Sequence, residues 1–215
     1  MMNEVSEKDT NPNIGAAFEI TVFDANGDVR QVVADDAKCF VLNFLRMIKN
    51  WMINSTYLSF RGDTRVRNSF VNTAGATVSL CGSGWGSGSG SSVGTFFVTA
   101  PSATTTHGIV TGRGVTPVAA ADYKIEILNA HGTGANQLSY DAVSVLNPTV
   151  VDNVLTIPIS RMINNSSTGT VDISEIALYL SGEGYIMVLR DLITPTITLN
   201  PGEAALIVYK IILNG

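Results

Sequence analysis

From Thr56 onward the chain repeats one pattern: short runs of alternating apolar and polar residues, each closed by Gly, Asn or Pro. A period of two is the signature of a strand with one buried face. The runs fall at 56–61, 65–71, 76–81, 94–99, 107–112, 123–128, 138–146, 154–163, 170–180, 185–190, 196–199 and 204–213. Turn residues separate them, among them Gly62-Asp63, Gly132-Thr133-Gly134, Asn147-Pro148, Asn164-Asn165 and Asn200-Pro201-Gly202. Many short strands at this spacing predict a sandwich or barrel. Val171, Ile173, Ile176, Leu178 and Leu180 break step after Ile173, which predicts a bulge near Ser174-Glu175.

Ahead of that region, residues 17–33 read as a hairpin. Phe18, Ile20 and Val22 alternate with polar residues, Asn26-Gly27 turns the chain, and Val29, Gln31 and Val33 return. Residues 35–53 read as the one helix. Asp35 or Asp36 would cap it. Ala37, Phe40, Val41, Phe44, Leu45, Ile48, Trp51 and Met52 form its apolar stripe, with Lys38, Asn43, Arg46, Lys49 and Asn50 opposite. The expected fold is mainly β: a β-sandwich, jelly-roll or Greek-key-like, with one amphipathic α-helix. The expected parts are a flexible arm at 1–13, the hairpin, helix and first strands at 14–81, a Gly/Ser loop at 82–92, and the sandwich at 93–215. Residues 14–81 and 93–215 would form one compact domain.

Only 14% of the 215 residues are charged, and the net charge is −5 with 13 Lys+Arg. That balance argues against nucleic acid as a partner, because phosphate binding needs clustered cations. Arg61, Arg65 and Arg67 are too few to change this. No apolar run reaches the length of a membrane span, and the first dozen residues are polar, unlike a secretory leader. Cys39 and Cys81 stand apart, with no metal or disulfide spacing. The loop 82–92 reads GSGWGSGSGSS, in which Trp85 is the one large side chain. A ring in such a segment suits an anchor on a partner.

The residues offer no catalytic set. His107 and His131 both sit beside glycines, outside any nucleophile signature, and surface or loop-packing roles are expected. Asp24 to Asp28 resembles half a calcium loop but fits a hairpin turn better. Gly112-Arg113-Gly114 lacks the ending of a phosphate loop. With 18 acidic residues, no pair stands out as a glycosidase dyad. No cofactor or metal is expected.

One ordered series does stand out. His107-Gly-Ile-Val-Thr-Gly-Arg-Gly-Val-Thr-Pro117 followed by Asp122-Tyr-Lys124 resembles a "GIVVGTGTTP…DYKL" run common in tailed-phage structural proteins. Gly112-Arg113-Gly114 stands where that run has Gly-Thr-Gly. Gly132 to Tyr140 and Asn164 to Val171 follow. Ile173-Ser-Glu-Ile-Ala-Leu-Tyr179 is similar to that family's "V.EIGLY", with Ala177 in place of Gly. Leu189-Arg-Asp191 and a closing β segment, 197–212, complete the order. The resemblance covers about half of the chain. It implies a β-rich, oligomeric virion component of head, neck or tail, without enzymatic activity, whose partners are sister chains and other virion proteins. The alternative is a receptor- or glycan-binding module at a virion tip, with Trp85 on its recognition loop. On the residues themselves, Glu175 lies among Ile173, Ile176 and Leu178. It either faces solvent at the bulge or accepts hydrogen bonds from loop N–H groups; if buried it needs a partner, and Arg190 in the neighbouring strand is the candidate. The interaction candidates are therefore Trp85, Gly112, Arg113, Gly114, Glu175 and Arg190.

Overall fold

The computed structural model describes residues 14–37, 40–54, 68–80, 97–181 and 184–214. The Gly/Ser loop at 82–92 with Trp85, the arm at 1–13, Cys39, Cys81, Arg61, Arg65, Arg67 and the run at 56–61 lie outside these residues.

β1 (Ile14–Phe23) and β2 (Val29–Asp36) form the expected hairpin. Ala16, Phe18, Ile20 and Val22 are buried, as the alternation requires. The turn differs from the two-residue expectation. Asp24 N donates to Asp28 O at 2.8 Å and Gly27 N to Asp24 O at 3.0 Å, so Ala25-Asn26-Gly27 is a three-residue loop. Gly27 takes a φ of 89°, and Asp24 Oδ1 accepts from Asn26 N and Asp28 N at 2.8 and 2.9 Å. The carboxylate holds the turn that the calcium-loop likeness imitated. Gln31 pairs with Val22 but Val29 pairs with Phe23, leaving Arg30 as a bulge.

The helix begins later than the apolar stripe suggested. Asp35 and Asp36 do not cap it; they extend β2 opposite Phe18 and Ala17. Pairing with β1 outweighs their capping preference. The chain then crosses to Leu189, where Phe40 bridges, and α1 (Leu42–Asn54) follows. Phe40 stacks on Phe44 at 3.9 Å between ring centres. Two assignments within the stripe change. Leu45 is exposed, and Asn43 is buried, with its amide bonded to Val71 O and Val71 N at 2.8 and 3.1 Å. Asn43 thereby ties α1 to β3 (Asn68–Val71), which forms a hairpin with β4 (Thr77–Leu80).

The remaining strands are β5 (Gly108–Gly112), β6 (Ala130–His131), β7 (Gln137–Tyr140), β8 (Ser144–Val145), β9 (Thr149–Val151), β10 (Val154–Asn164), β11 (Val171–Leu180), β12 (Ile186–Leu199) and β13 (Ala204–Asn214). The run at 138–146 thus splits in two, and those at 185–190 and 196–199 join. The run at 123–128 is no strand. It meets the ladder only through a bridge from Leu128 to Gly112, because its backbone bonds to side chains instead. β9 was not foreseen. It turns into β10 through Asp152-Asn153, both at positive φ (50° and 62°), the backbone of a tight two-residue hairpin.

The large sheet has the order β2-β1-β13-β10-β7-β6, with β8 and β9 also on β10, and the small sheet the order β12-β11-β5. Phe18, Ile20, Ile207, Tyr209, Ile159 and Ile163 of the large sheet share one buried cluster with Ile109, Ile173, Ile176 and Val188 of the small one. This is a mainly-β, sandwich-like architecture. The predicted bulge is present: Ile173 pairs with Ile197 but Glu175 with Leu192, so Ser174 stands against four residues of β12. Pro195 falls in that gap, where no ladder N–H is needed. The small sheet is buried on its second face too, where Val110, Ala177, Tyr179 and Met187 pack with Val41 and Ile125. Among the described residues no helix is long and apolar enough to cross a membrane.

Candidate functional site at a buried carboxylate

Register places Gly112, Glu175 and Arg190 on that second face. Glu175 pairs with Gly112, and Arg190 with Ala177. Residues 113–128 leave β5 as an irregular strap and fold across them. Glu175 is fully buried. Its Oε1 accepts from the backbone N–H groups of Gly114, Glu126 and Ile127 at 2.8, 3.0 and 3.1 Å. Its Oε2 accepts from Arg190 Nε and Nη2 at 2.9 and 2.8 Å. Both ends of the strap are therefore gripped by one carboxylate. Ser174, displaced by the bulge, donates to Gly114 O at 2.8 Å.

Arg190 extends the grip. Nη1 bonds to Asp122 Oδ2 at 2.7 Å and Nη2 to Thr116 O at 3.2 Å. Burial works against its charge, but the hydrogen bonds and charges of Asp122 and Glu175 outweigh burial and hold the guanidinium above its ordinary pKa. Glu126 turns back on the strap, accepting from Val115 N and Thr116 N at 3.0 Å each. Those N–H groups, Thr116 first, hold its carboxyl below the usual range. Tyr179 Oη accepts from Ile125 N. The two glycines have a steric reason. A Cβ on Gly112 would lie 2.6 Å from Glu175 Oε1 and from Ile127 O, and one on Gly114 would collide with Glu175 and Glu126. The pairing of Glu175 with Arg190 stands as the burial argument required.

Arg113 is not part of this grip. Its Nε bonds to Asn129 Oδ1 at 3.0 Å, leading into a second network on the other side of β5. There Thr111 Oγ1, Tyr140 Oη and Asn129 O lie within 2.8 Å of one another in sequence. Burial raises the Tyr140 phenol to about 12. Beside it Arg161, 1% exposed, donates to Asp141 O, Ile109 O and Thr104 O at 2.7, 2.8 and 2.6 Å, with its Cζ over the Tyr140 ring, 4.8 Å from the ring centre. Burial pulls this guanidinium down to about 10. Arg161 was missed in the sequence, although a signal existed: it shares the inward phase of Ile159 and Ile163. His131 Nδ1 accepts from Tyr140 N at 3.3 Å, and His107 stacks on Tyr185 at 5.7 Å. His131 is exposed and His107 is partly buried.

Chemically, the Glu175 carboxylate is saturated by donors and lies beneath the strap. Charge-assisted bonds of this kind fix a loop conformation. Among the described residues no group of three His, Cys, Asp or Glu side chains is placed to hold a metal ion. Of the residues quoted for the phage-like series, Gly112, Gly114, Asp122, Ser174, Glu175, Tyr179 and Arg190 converge here from four separate parts of the chain, and Arg113 does not. Compared with protein-family models, curated proteins and solved structures, the chain finds no match.

Proposed function

We propose that this chain is a structural component of a tailed-phage virion, in the tail, neck or capsid-associated set, acting by contact with sister chains and other virion proteins. The observation that carries the reading is the phage-like series itself, now with a physical role. Its segments at 107–117, 122–124, 173–179 and 189–191 meet around one carboxylate and hold one strap. A fold that spends its buried charges on rigidity presents a fixed outer surface, which repeated subunit contacts need. That surface is apolar in places: Val115 on the strap is 72% exposed, and Val150 and Val151 on β9 are 68% and 65% exposed. Such side chains gain by burial against neighbours, at about 25 cal/mol per Å². Mass spectrometry of purified virions with copy counting tests the proposal. Recovery at a fixed copy number supports it, and absence from the particle overturns it.

The recognition-module reading is favoured by one feature. Phe97 is half-exposed where it bridges Ser181 beyond the end of β11, and His107, just ahead of β5, stacks on Tyr185. Trp85→Ala separates the readings: loss of host adsorption by intact particles favours recognition, and loss of assembly favours the structural role.

A further inference from the structure

The turn between β1 and β2 carries a reactive dipeptide as well as a conformation. Glycine follows asparagine at two places in the chain, Asn26-Gly27 and Asn214-Gly215. A glycine has no Cβ to shield its backbone nitrogen, so that nitrogen can reach the Cγ of the asparagine before it. At the turn the reacting atoms stand open to water. Asn26 is exposed, and among the described residues beyond its chain neighbours nothing lies within 4 Å of where a Cβ on Gly27 would stand. Hydrogen bonds are what restrain them. Gly27 N is committed as a donor to Asp24 O at 3.0 Å. Asn26 N donates to Asp24 Oδ1 at 2.8 Å, and Asn26 Nδ2 to Asp24 Oδ2 at 3.4 Å. Asp24 Oδ1 also accepts from Asp28 N at 2.9 Å. The attacking nitrogen, the side-chain amide it would attack and the backbone between them are thus all tied to one residue, as the side chain that opens such a turn can do.

We propose that Asn26 is a deamidation site of the native chain and that Asp24 sets its rate by holding the turn closed. Exposed turns open locally without unfolding the rest of a protein. In the open turn hydroxide takes the Gly27 amide proton, and the nitrogen attacks Asn26 Cγ. The new C–N bond closes a five-membered succinimide, the Cγ–Nδ2 bond breaks, and the nitrogen leaves as ammonia after taking a proton from water. Water then adds to either imide carbonyl and leaves aspartate or isoaspartate at position 26. Either product adds a carboxylate to a loop that already holds Asp24 and Asp28. Isoaspartate also routes the main chain through Cβ, so the three-residue loop no longer closes over the same path. The modification is independent of the assembly role. Asn153 is an internal control. It is exposed in a tight turn as well, at a φ of 62°, but Val154 follows it, and a β-branched side chain crowds the attacking nitrogen.

Incubation of the purified chain at mildly alkaline pH, sampled over time, tests this. Peptide mapping by mass spectrometry reads each asparagine separately, including Asn214, and resolves aspartyl from isoaspartyl products. The wild-type chain is compared with Asp24→Ala, with its fold checked by circular dichroism, and with the wild-type chain in urea. Asn26 should convert in the native chain, several-fold faster in Asp24→Ala and in urea, while Asn153 stays intact in the native chain. The urea comparison needs no variant, so the proposal stays open to refutation even where Asp24→Ala fails to fold. An Asn26 that stays intact in the native chain after the chain in urea has converted overturns the site. A native rate equal to the rate in urea, or a folded Asp24→Ala no faster than wild type, overturns the control by Asp24. Native conversion at Asn153 as fast as at Asn26 would show that neither the glycine nor this turn selects the site.

Discussion

A carboxylate with no exposed surface survives in an apolar layer only when every charge and lone pair is met, and Glu175 meets that condition through three backbone N–H groups and one guanidinium. Glu175→Gln removes the charge and points an amide N–H at groups that are themselves donors. Arg190 then stays buried with Asp122, the Thr116 carbonyl and, at 3.9 Å, Glu126 as its remaining partners. Breaking a buried pair costs about 3–5 kcal/mol. At about 2–4 °C per kcal/mol for a chain of this size, thermal unfolding should fall by at least several degrees. Adding Arg190→Met should recover part of the loss, which a double-mutant cycle reads as coupling. Arg161→Met is expected to behave differently. It leaves the carbonyls of Asp141, Ile109 and Thr104 without donors, each at a cost of about 1–3 kcal/mol, and no second substitution nearby restores them. A melting point unchanged by Arg161→Met would show that water replaces the guanidinium there.

The strap and the β9–β10 turn test the argument at the level of elements. Gly114→Ala places a methyl group against Glu175 and Glu126 without demanding a forbidden backbone, so its cost should be that of pushing the strap off the sheet. Proteolysis should then cut within 113–128 before the rest of the chain unfolds, and cleavage elsewhere first would show that the strap does not depend on this contact. In the turn, Asn153 sits at a φ of 62°. Asn153→Ala should cost about 1–2 kcal/mol, whereas Asn153→Gly should be neutral or stabilising in a urea titration. These two elements also mark where the sequence was and was not readable. Strands with a buried phase, such as 154–163 and 204–213, announced themselves, and so did the bulge, because Ile173 to Ile176 breaks the period. The strap did not, because 123–128 alternates like a strand while its N–H groups go to a carboxylate 48 and 49 residues away along the chain. Long-range side-chain acceptors leave no local period. The helix start was misplaced for a related reason: Asp35 and Asp36 cap well in isolation, but the ladder from β1 continues through them. Within the site, the Glu175–Arg190 pair was legible from burial logic alone, and the roles of Gly112 and Gly114 were not, since they depend on a side chain some 60 positions away.

For the molecule as a whole, the shifted groups define how stability follows pH. Asp24, Glu126 and Glu203 are held below their ordinary carboxyl values of 3.8, 4.5 and 4.5. For Glu203 burial opposes the shift, and Asn200 with Arg30 overcomes it. The unfolded chain then binds more protons than the native one in this range. The stability these groups contribute is complete above their ordinary values and is lost as pH falls through the native ones. His107 acts in the same direction at a higher pH. Burial lowers it from 6.5, so protonation below that point favours the unfolded chain. At the alkaline end the sign reverses. Burial raises Tyr140 from 10.0 to about 12 and raises Tyr179 and Tyr209 as well, so ionisation of the unfolded phenols draws stability away as pH climbs above 10. The expected profile of urea midpoints is a plateau between neutrality and about pH 9. A shallow step should appear below 6.5 and a steeper fall below 4.5. His107→Gln should remove the shallow step alone, and Glu203→Gln should flatten part of the steep one while lowering the plateau. A profile that rises on acidification would mean that these carboxylates are not held by the N–H groups and cations that surround them.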